Sequence, residues 1–173
     1  MPMIARSPDE PHRVSTPLEL LFDLVFVVAI SRAAAELHHA VAEGHVAHGL
    51  EGFAMVFFAI WWAWMNFTWF ASAYDCDDVP YRLAVFVQIT GALILAAGIS
   101  RMFEVRGPAI AVIAGYVVMR LALVAQWLRA AAGDPVRRPT ALRYAAGVAV
   151  VQVCWVALGF LPSLWIPGFL TFL

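Results

Sequence analysis

The sequence predicts an all-α protein: a polytopic α-helical membrane bundle with five transmembrane helices plus a partial sixth. Three observations carry that expectation. Hydrophobic residues make up 63% of the chain and charged residues 13%, where a soluble domain is about half apolar and a quarter charged. Five apolar runs each reach the roughly 20 residues that a bilayer core requires. These runs are too long and too close together for buried helices of a soluble domain, and none alternates in the manner of barrel strands. The mean hydropathy of +0.81 agrees with this reading.

Residues 1–16 form a polar, Pro-rich tail, expected on the cytoplasmic side. The tail lacks the basic stretch followed by a clean apolar region that a cleavable signal needs. The first span is therefore expected to act as an uncleaved membrane signal. Residues 17–173 then form one helical domain, with spans at about 17–40, 51–73, 81–101, 108–131 and 141–162.

Span one, within TPLELLFDLVFVVAISRAAAE, carries Glu19, Asp23, Arg32 and Glu36. EGHVAHGLEG (43–52) connects it to span two, whose WWAWMNFTWF (61–70) is the densest aromatic patch. On helical spacing Trp62, Asn66 and Trp69 share one face. An interfacial aromatic belt with helix packing is the expectation for that face, and an aromatic-lined pocket is the alternative. YDCDDVP (74–80) leads into span three, and its aspartates are placed to cap that helix. EVRGP (104–108) puts Pro108 at the start of span four. GDPVRRP (133–139) is a turn followed by a basic patch before span five. SLWIPGFLTFL (163–173) reads as a sixth span that stops short, which suggests a fragment of a longer protein.

Arginines set the expected orientation. With the N-terminus inside, Arg6, Arg13, Arg82, Arg129, Arg137, Arg138 and Arg143 are cytoplasmic, against Arg101 and Arg106 outside. The net charge of −1 leaves no basic footprint for nucleic acid. Cys76 and Cys154 lie in contexts that argue against a disulfide. His38, His39, His45 and His48 cluster near one connector but match no zinc motif, and a solvated loop is the expectation. Asp75, Asp77 and Asp78 lack EF-hand spacing. No metal site, cofactor site or catalytic residue is assigned, and no GxSxG, P-loop or GxGxxG is present.

Ionisable groups within spans are costly and usually face the bundle interior. Glu19 and Asp23 are one helical turn apart. At about 1.5 Å per residue, Asp23 lies roughly 8–9 Å from the inner end of span one, and Arg120 roughly 15 Å above the inner end of span four. A snorkelling arginine would close that gap. Asn66 and Gln88 fall at comparable heights. The expectation is an inner-leaflet polar cluster of Glu19, Asp23, Asn66, Gln88 and Arg120, with Asp23 and Arg120 in contact. Tyr116 and Trp127 lie near the face of Arg120, where a ring could cover its charge. Such a cluster serves either as glue between helices or as a path for an ion or small solute.

Three blocks in order, TPLELLFDLVFVVAISR, WWAWMNFTWFASAYDCDD and VPYRLAVFVQITGALILAAGISRMFE, resemble the bacterial low temperature requirement protein A (LtrA) family. The likeness covers roughly residues 14–130 and rests on Glu19, Phe22, Asp23, Phe26, Trp61, Trp62, Trp64, Thr68, Trp69, Asp75, Asp78, Arg82 and Leu83. LLFDLVFVVAIS is also faintly similar to the first-helix F-S-D motif of a family of six-helix potassium channels, but Leu21-Phe22-Asp23 lacks the serine. The LtrA resemblance implies a multi-pass protein of the bacterial inner membrane, here its N-terminal half. It implies no reaction. A transporter or channel-like role ranks first, a structural or regulatory role in cold or envelope stress second, and an enzyme last. The expected partners are the lipid bilayer and either a second copy of the chain or a missing C-terminal half.

Overall fold

The computed structural model describes residues 3, 5–6, 15–74, 76–104 and 110–159. Five helices run through them: α1 Pro17–Ala42, α2 Val46–Ala73, α3 Val79–Glu104, α4 Ile110–Gly133 and α5 Arg138–Gly159. Helices α2 to α5 are long and apolar enough to cross a membrane. α1 is equally long, at 26 residues, but its charged residues keep it outside that set. Of the five expected spans, the second to fifth are helices of membrane-spanning character and the first is a helix outside that set. Pro108 and residues 163–173, expected to open span four and to begin the sixth, lie outside the described residues.

Local chemistry sets the helix ends. Thr16 caps α1: its Oγ1 accepts from the Glu19 amide at 3.2 Å, and the Glu19 carboxylate accepts from the Thr16 amide at 2.9 Å. Pro17 follows at the first helical position, where its missing N–H costs nothing. Gly44 takes φ +82° and reverses the chain, so only residues 43–45 separate α1 from α2. The connector expected at 43–52 is therefore mostly helix, and His48 belongs to α2. Asp78 begins α3 by accepting from the Tyr81 amide at 3.0 Å, the capping role expected of this loop.

α3 packs most extensively on α4, α4 also on α5, and α1 on α2 and α3. Small residues permit the closest approach. A Cβ on Gly91 would meet the Gly115 carbonyl oxygen at 2.7 Å, and one on Gly98 would meet the Val112 amide at 2.9 Å. Membrane helices lack a strong hydrophobic drive between them and use such small-residue seams to gain dispersion contact. Phe22 of α1 meets Phe67 of α2 at a ring separation of 3.9 Å. Outward faces are apolar, with Leu24 62% and Val153 69% exposed. An apolar exterior on long apolar helices marks a membrane protein.

Candidate functional site

The five residues expected to cluster divide among separate environments. Glu19 is engaged in the α1 capping box. The Asp23 carboxylate accepts from the Trp64 indole N–H at 2.7 Å. The Asn66 amide donates to the Trp62 carbonyl at 2.7 Å, one turn back on its own helix. Gln88 is buried and donates to Gln126 of α4 at 2.6 Å. Arg120 is 4% exposed. Its Nη2 donates to the Tyr116 hydroxyl at 2.6 Å, and its guanidinium lies 4.7 Å from the Tyr116 ring centre.

The expected Asp23–Arg120 contact is thus corrected: Asp23 bonds across the α1–α2 seam, and Arg120 bonds along α4. Helical rise gives the height of a residue but not its direction around the bundle. α1 packs on α2 and α3, whereas α4 packs chiefly on α3 and α5. The expected ring cover of Arg120 is present and comes from Tyr116.

Asn66 and Arg120 do meet, at a cavity rather than through a bond. A space of about 300 Å³ between α2, α4 and α5 is lined by Trp62, Asn66, Trp69, Arg120, Arg143 and Tyr144, among others. It adjoins a second space of about 660 Å³ that shares Asn66, Trp69 and Tyr144 and extends to Arg6, Arg137 and Thr140. Together they form a cleft from one end of the bundle to the middle of α4. Arg120 lies roughly 20 Å from the C-terminal end of α4 at about 1.5 Å per residue. An aromatic wall holds the mouth: Trp127 stacks on Tyr144 at 4.6 Å and meets Phe70 edge-on at 4.9 Å. The face shared by Trp62, Asn66 and Trp69 is therefore the α2 wall of a cavity. Arg143 and Tyr144 were not legible as site residues. Arg143 counted only as an orienting charge, and the pairing of α5 with α2 across the cleft has no local sequence signal.

Ionic contacts brace the same end of the bundle. Arg129 of α4 holds Asp78 in a two-pronged ion pair, one prong at 2.9 Å and the other closer still. The hydrogen bond from Arg129 is the main reason the Asp78 carboxyl lies far below the usual carboxylate range, in opposition to its partial desolvation. Cys76 beside it is buried, and burial followed by the Asp78 contact pushes its thiol up. That thiol is held protonated and is a poor nucleophile. Arg82 pairs with exposed Asp77 through two 2.7 Å bonds. Asp134 is desolvated at the α4–α5 turn, but bonds from the amide and guanidinium of Arg137 and from Ala5 hold its pKa low.

The tail joins this end. Ala5 forms a β-bridge with Tyr74, the Arg6 amide donates to the Ala73 carbonyl at 3.0 Å, and buried Met3 sits against Gly133. At the opposite end, His38, His39 and His45 are exposed, and a His48 ring nitrogen lies 3.2 Å from the Phe103 carbonyl oxygen.

Residues of the family-like blocks serve mainly this framework. Phe22 and Phe26 are buried in the α1 seam. Trp64 holds Asp23, and Thr68 donates to the Trp64 carbonyl at 3.0 Å. Trp61 is exposed at 39%, and Trp69 at 53% while lining the cleft. Asp75 lies outside the described residues.

Comparison with known proteins agrees with these blocks. An uncharacterized protein of Rhizobium meliloti (strain 1021), RA0937, is 28% identical over 141 residues, covering 82% of this chain and 33% of that protein. The chain thus spans about a third of the length of that curated relative. No solved structure matches it. The sequence model of the bacterial low temperature requirement A protein matches residues 14–173, beyond the three blocks and through α5. The chain belongs to the bacterial low temperature requirement A protein (LtrA) family.

Proposed function

We propose that this chain is a multi-pass protein of the bacterial inner membrane that admits a small solute or ion into the cleft between α2, α4 and α5. One observation carries the reading. Asn66 and Arg120, polar residues of different helices, line one cavity that continues to the end of the bundle. Polar and ionisable groups at membrane depth commonly mark solute paths. The excess of arginine at that end supports a cytoplasmic placement for it, with α1 entering the membrane from the same side.

The test is cysteine accessibility in membranes, with Cys76 and Cys154 replaced by Ala. A water-soluble thiol reagent should modify Asn66→Cys and Trp69→Cys and spare Leu24→Cys on the outward apolar face. If Asn66→Cys and Trp69→Cys resist as Leu24→Cys does, the cleft is dry and the reading fails.

A second reading is a structural or regulatory membrane protein active in cold or envelope stress. It draws support from the bonds that occupy Glu19, Asp23 and Gln88, each of which ties the fold together. Under that reading the cleft would be sealed.

A further inference from the structure

Resting on the cleft reading, we infer that the occupant is an anion: an oxyanion head, phosphate or carboxylate, carried on an apolar or aromatic body. Among the described residues, the charged side chains lining the cleft are all arginines. Two of them are discounted, because Arg137 pairs with Asp134 and Arg6 has a further contact of its own. Arg120 and Arg143 remain, and among the described residues neither lies within ion-pair distance of a carboxylate.

Arg120 is the stronger of the two. Its side chain is buried, faces the cavity, and is bonded to one neutral hydroxyl. A guanidinium carries a delocalised positive charge, and burial strips it of the water that would otherwise stabilise that charge. The Tyr116 ring offsets only part of the charge. A buried cation without a counter-charge is costly, and an oxyanion on the open side of the guanidinium removes that cost through charge-assisted hydrogen bonds. Arg143 flanks the same cavity and adds a second positive charge. Asn66 is a side-chain amide at the same wall. Trp62, Trp69 and Tyr144 give flat apolar surface for the body of the ligand. A cation is disfavoured by the same arrangement, since Asp23 is bonded on the α1–α2 seam and does not line the cleft.

The head can come from a free metabolite-sized anion or from an anionic lipid, and the experiment separates them. The purified full chain is placed in nanodiscs of phosphatidylcholine alone. Phenyl phosphate and its neutral counterpart benzyl alcohol are titrated while tryptophan fluorescence is read. In parallel, phosphatidylglycerol replaces part of the lipid.

Saturable quenching is expected with phenyl phosphate and not with benzyl alcohol. Arg120→Met should weaken binding by about tenfold or more, the size of a lost charge-assisted contact. Arg143→Gln should weaken it less, and Arg32→Gln, an exposed site on α1, should leave it unchanged. If phosphatidylglycerol alone produces the Arg120-dependent change, the oxyanion is a lipid head and the inference stands with that source. Arg120→Met without ligand should melt no lower than the unaltered chain, because it removes an uncompensated buried charge. If that variant does not fold, Arg120→Lys decides: it keeps the charge, loses the planar fork, and should still weaken binding.

Equal binding of benzyl alcohol and phenyl phosphate would overturn the anion assignment, as would an absence of Arg120-dependent change in both arms. Either result together with labelled Asn66→Cys would leave the cleft reading intact. Unlabelled Asn66→Cys would remove both.

Discussion

Asp78→Asn is the perturbation whose size the structure defines best. Asp78 caps α3 through the Tyr81 amide, ties α3 to α4 through Arg129, and also contacts the Cys76 thiol. Asparagine caps about as well as aspartate, so this change leaves the cap and removes the charge. The pair is intermediate in burial, with side-chain exposures of 27% for Arg129 and 15% for Asp78. Its loss should therefore cost about 1–2 kcal/mol, between the values for exposed and buried pairs. Asp78→Ala removes the cap as well and should cost about 1 kcal/mol more.

Melting in detergent micelles reads both variants, at about 2–4 °C per kcal/mol for a chain of this size. The pH dependence adds a signed test. The carboxyl pKa is lowered in the folded chain, so folding favours the ionised form. Its contribution is fully present above the unfolded value near 4 and is lost only as pH falls toward the folded value. The gap between the unaltered chain and Asp78→Asn should stay constant from pH 8 to about 5 and narrow below about 4. An Asp78→Asn variant that melts with the unaltered chain at pH 7, or a gap that widens in acid, would refute the assignment.

Two further outcomes are expected. Gly115→Val should prevent normal α3–α4 packing, because a Cβ there would stand 2.5 Å from the Leu95 amide nitrogen; Gly147→Ala meets nothing within 4 Å and should hold or gain stability. Yield of monodisperse protein in detergent distinguishes these two glycines. A double-mutant cycle on Asp23→Asn and Trp64→Phe should show coupling of about 1–2 kcal/mol by thermal melting, and strictly additive losses would mean that the 2.7 Å bond contributes nothing.

The helices were legible because their apolar runs are long and their ends carry local chemistry: Thr16 with Glu19, Gly44, and Asp78 ahead of Val79. The face of Trp62, Asn66 and Trp69 was legible for the same reason, since it depends only on the helical repeat. What lines up across the bundle was not. The ion pair of Asp78 with Arg129 joins residues far apart in sequence and depends on α3 and α4 being neighbours. The Trp64 bond to Asp23 depends on α1 lying against α2. Two heights that agree do not make a contact unless the helices are adjacent and turned toward each other. Asp23 and Arg120 failed on that point.

The same geometry separates the charges of the interior by the kind of partner each has found. Asp23 has an indole N–H, and Glu36 accepts from the Ser100 hydroxyl at 2.5 Å. Each is a carboxylate that accepts a bond across a helix seam, and such bonds fix the register of α1 against its neighbours. Arg32 is exposed on α1. Arg120 differs from all of these. It is a buried cation whose bonded partner among the described residues is a neutral hydroxyl; the partners of Asp23 and Glu36 are neutral as well, but the Arg120 side chain lines the cleft. A helix-locking role would be met more cheaply by a neutral donor such as glutamine, as Gln88 and Gln126 do for α3 and α4. The proposed anion site accounts for an arginine at this position by what its charge can attract along the cleft rather than by what it holds in place.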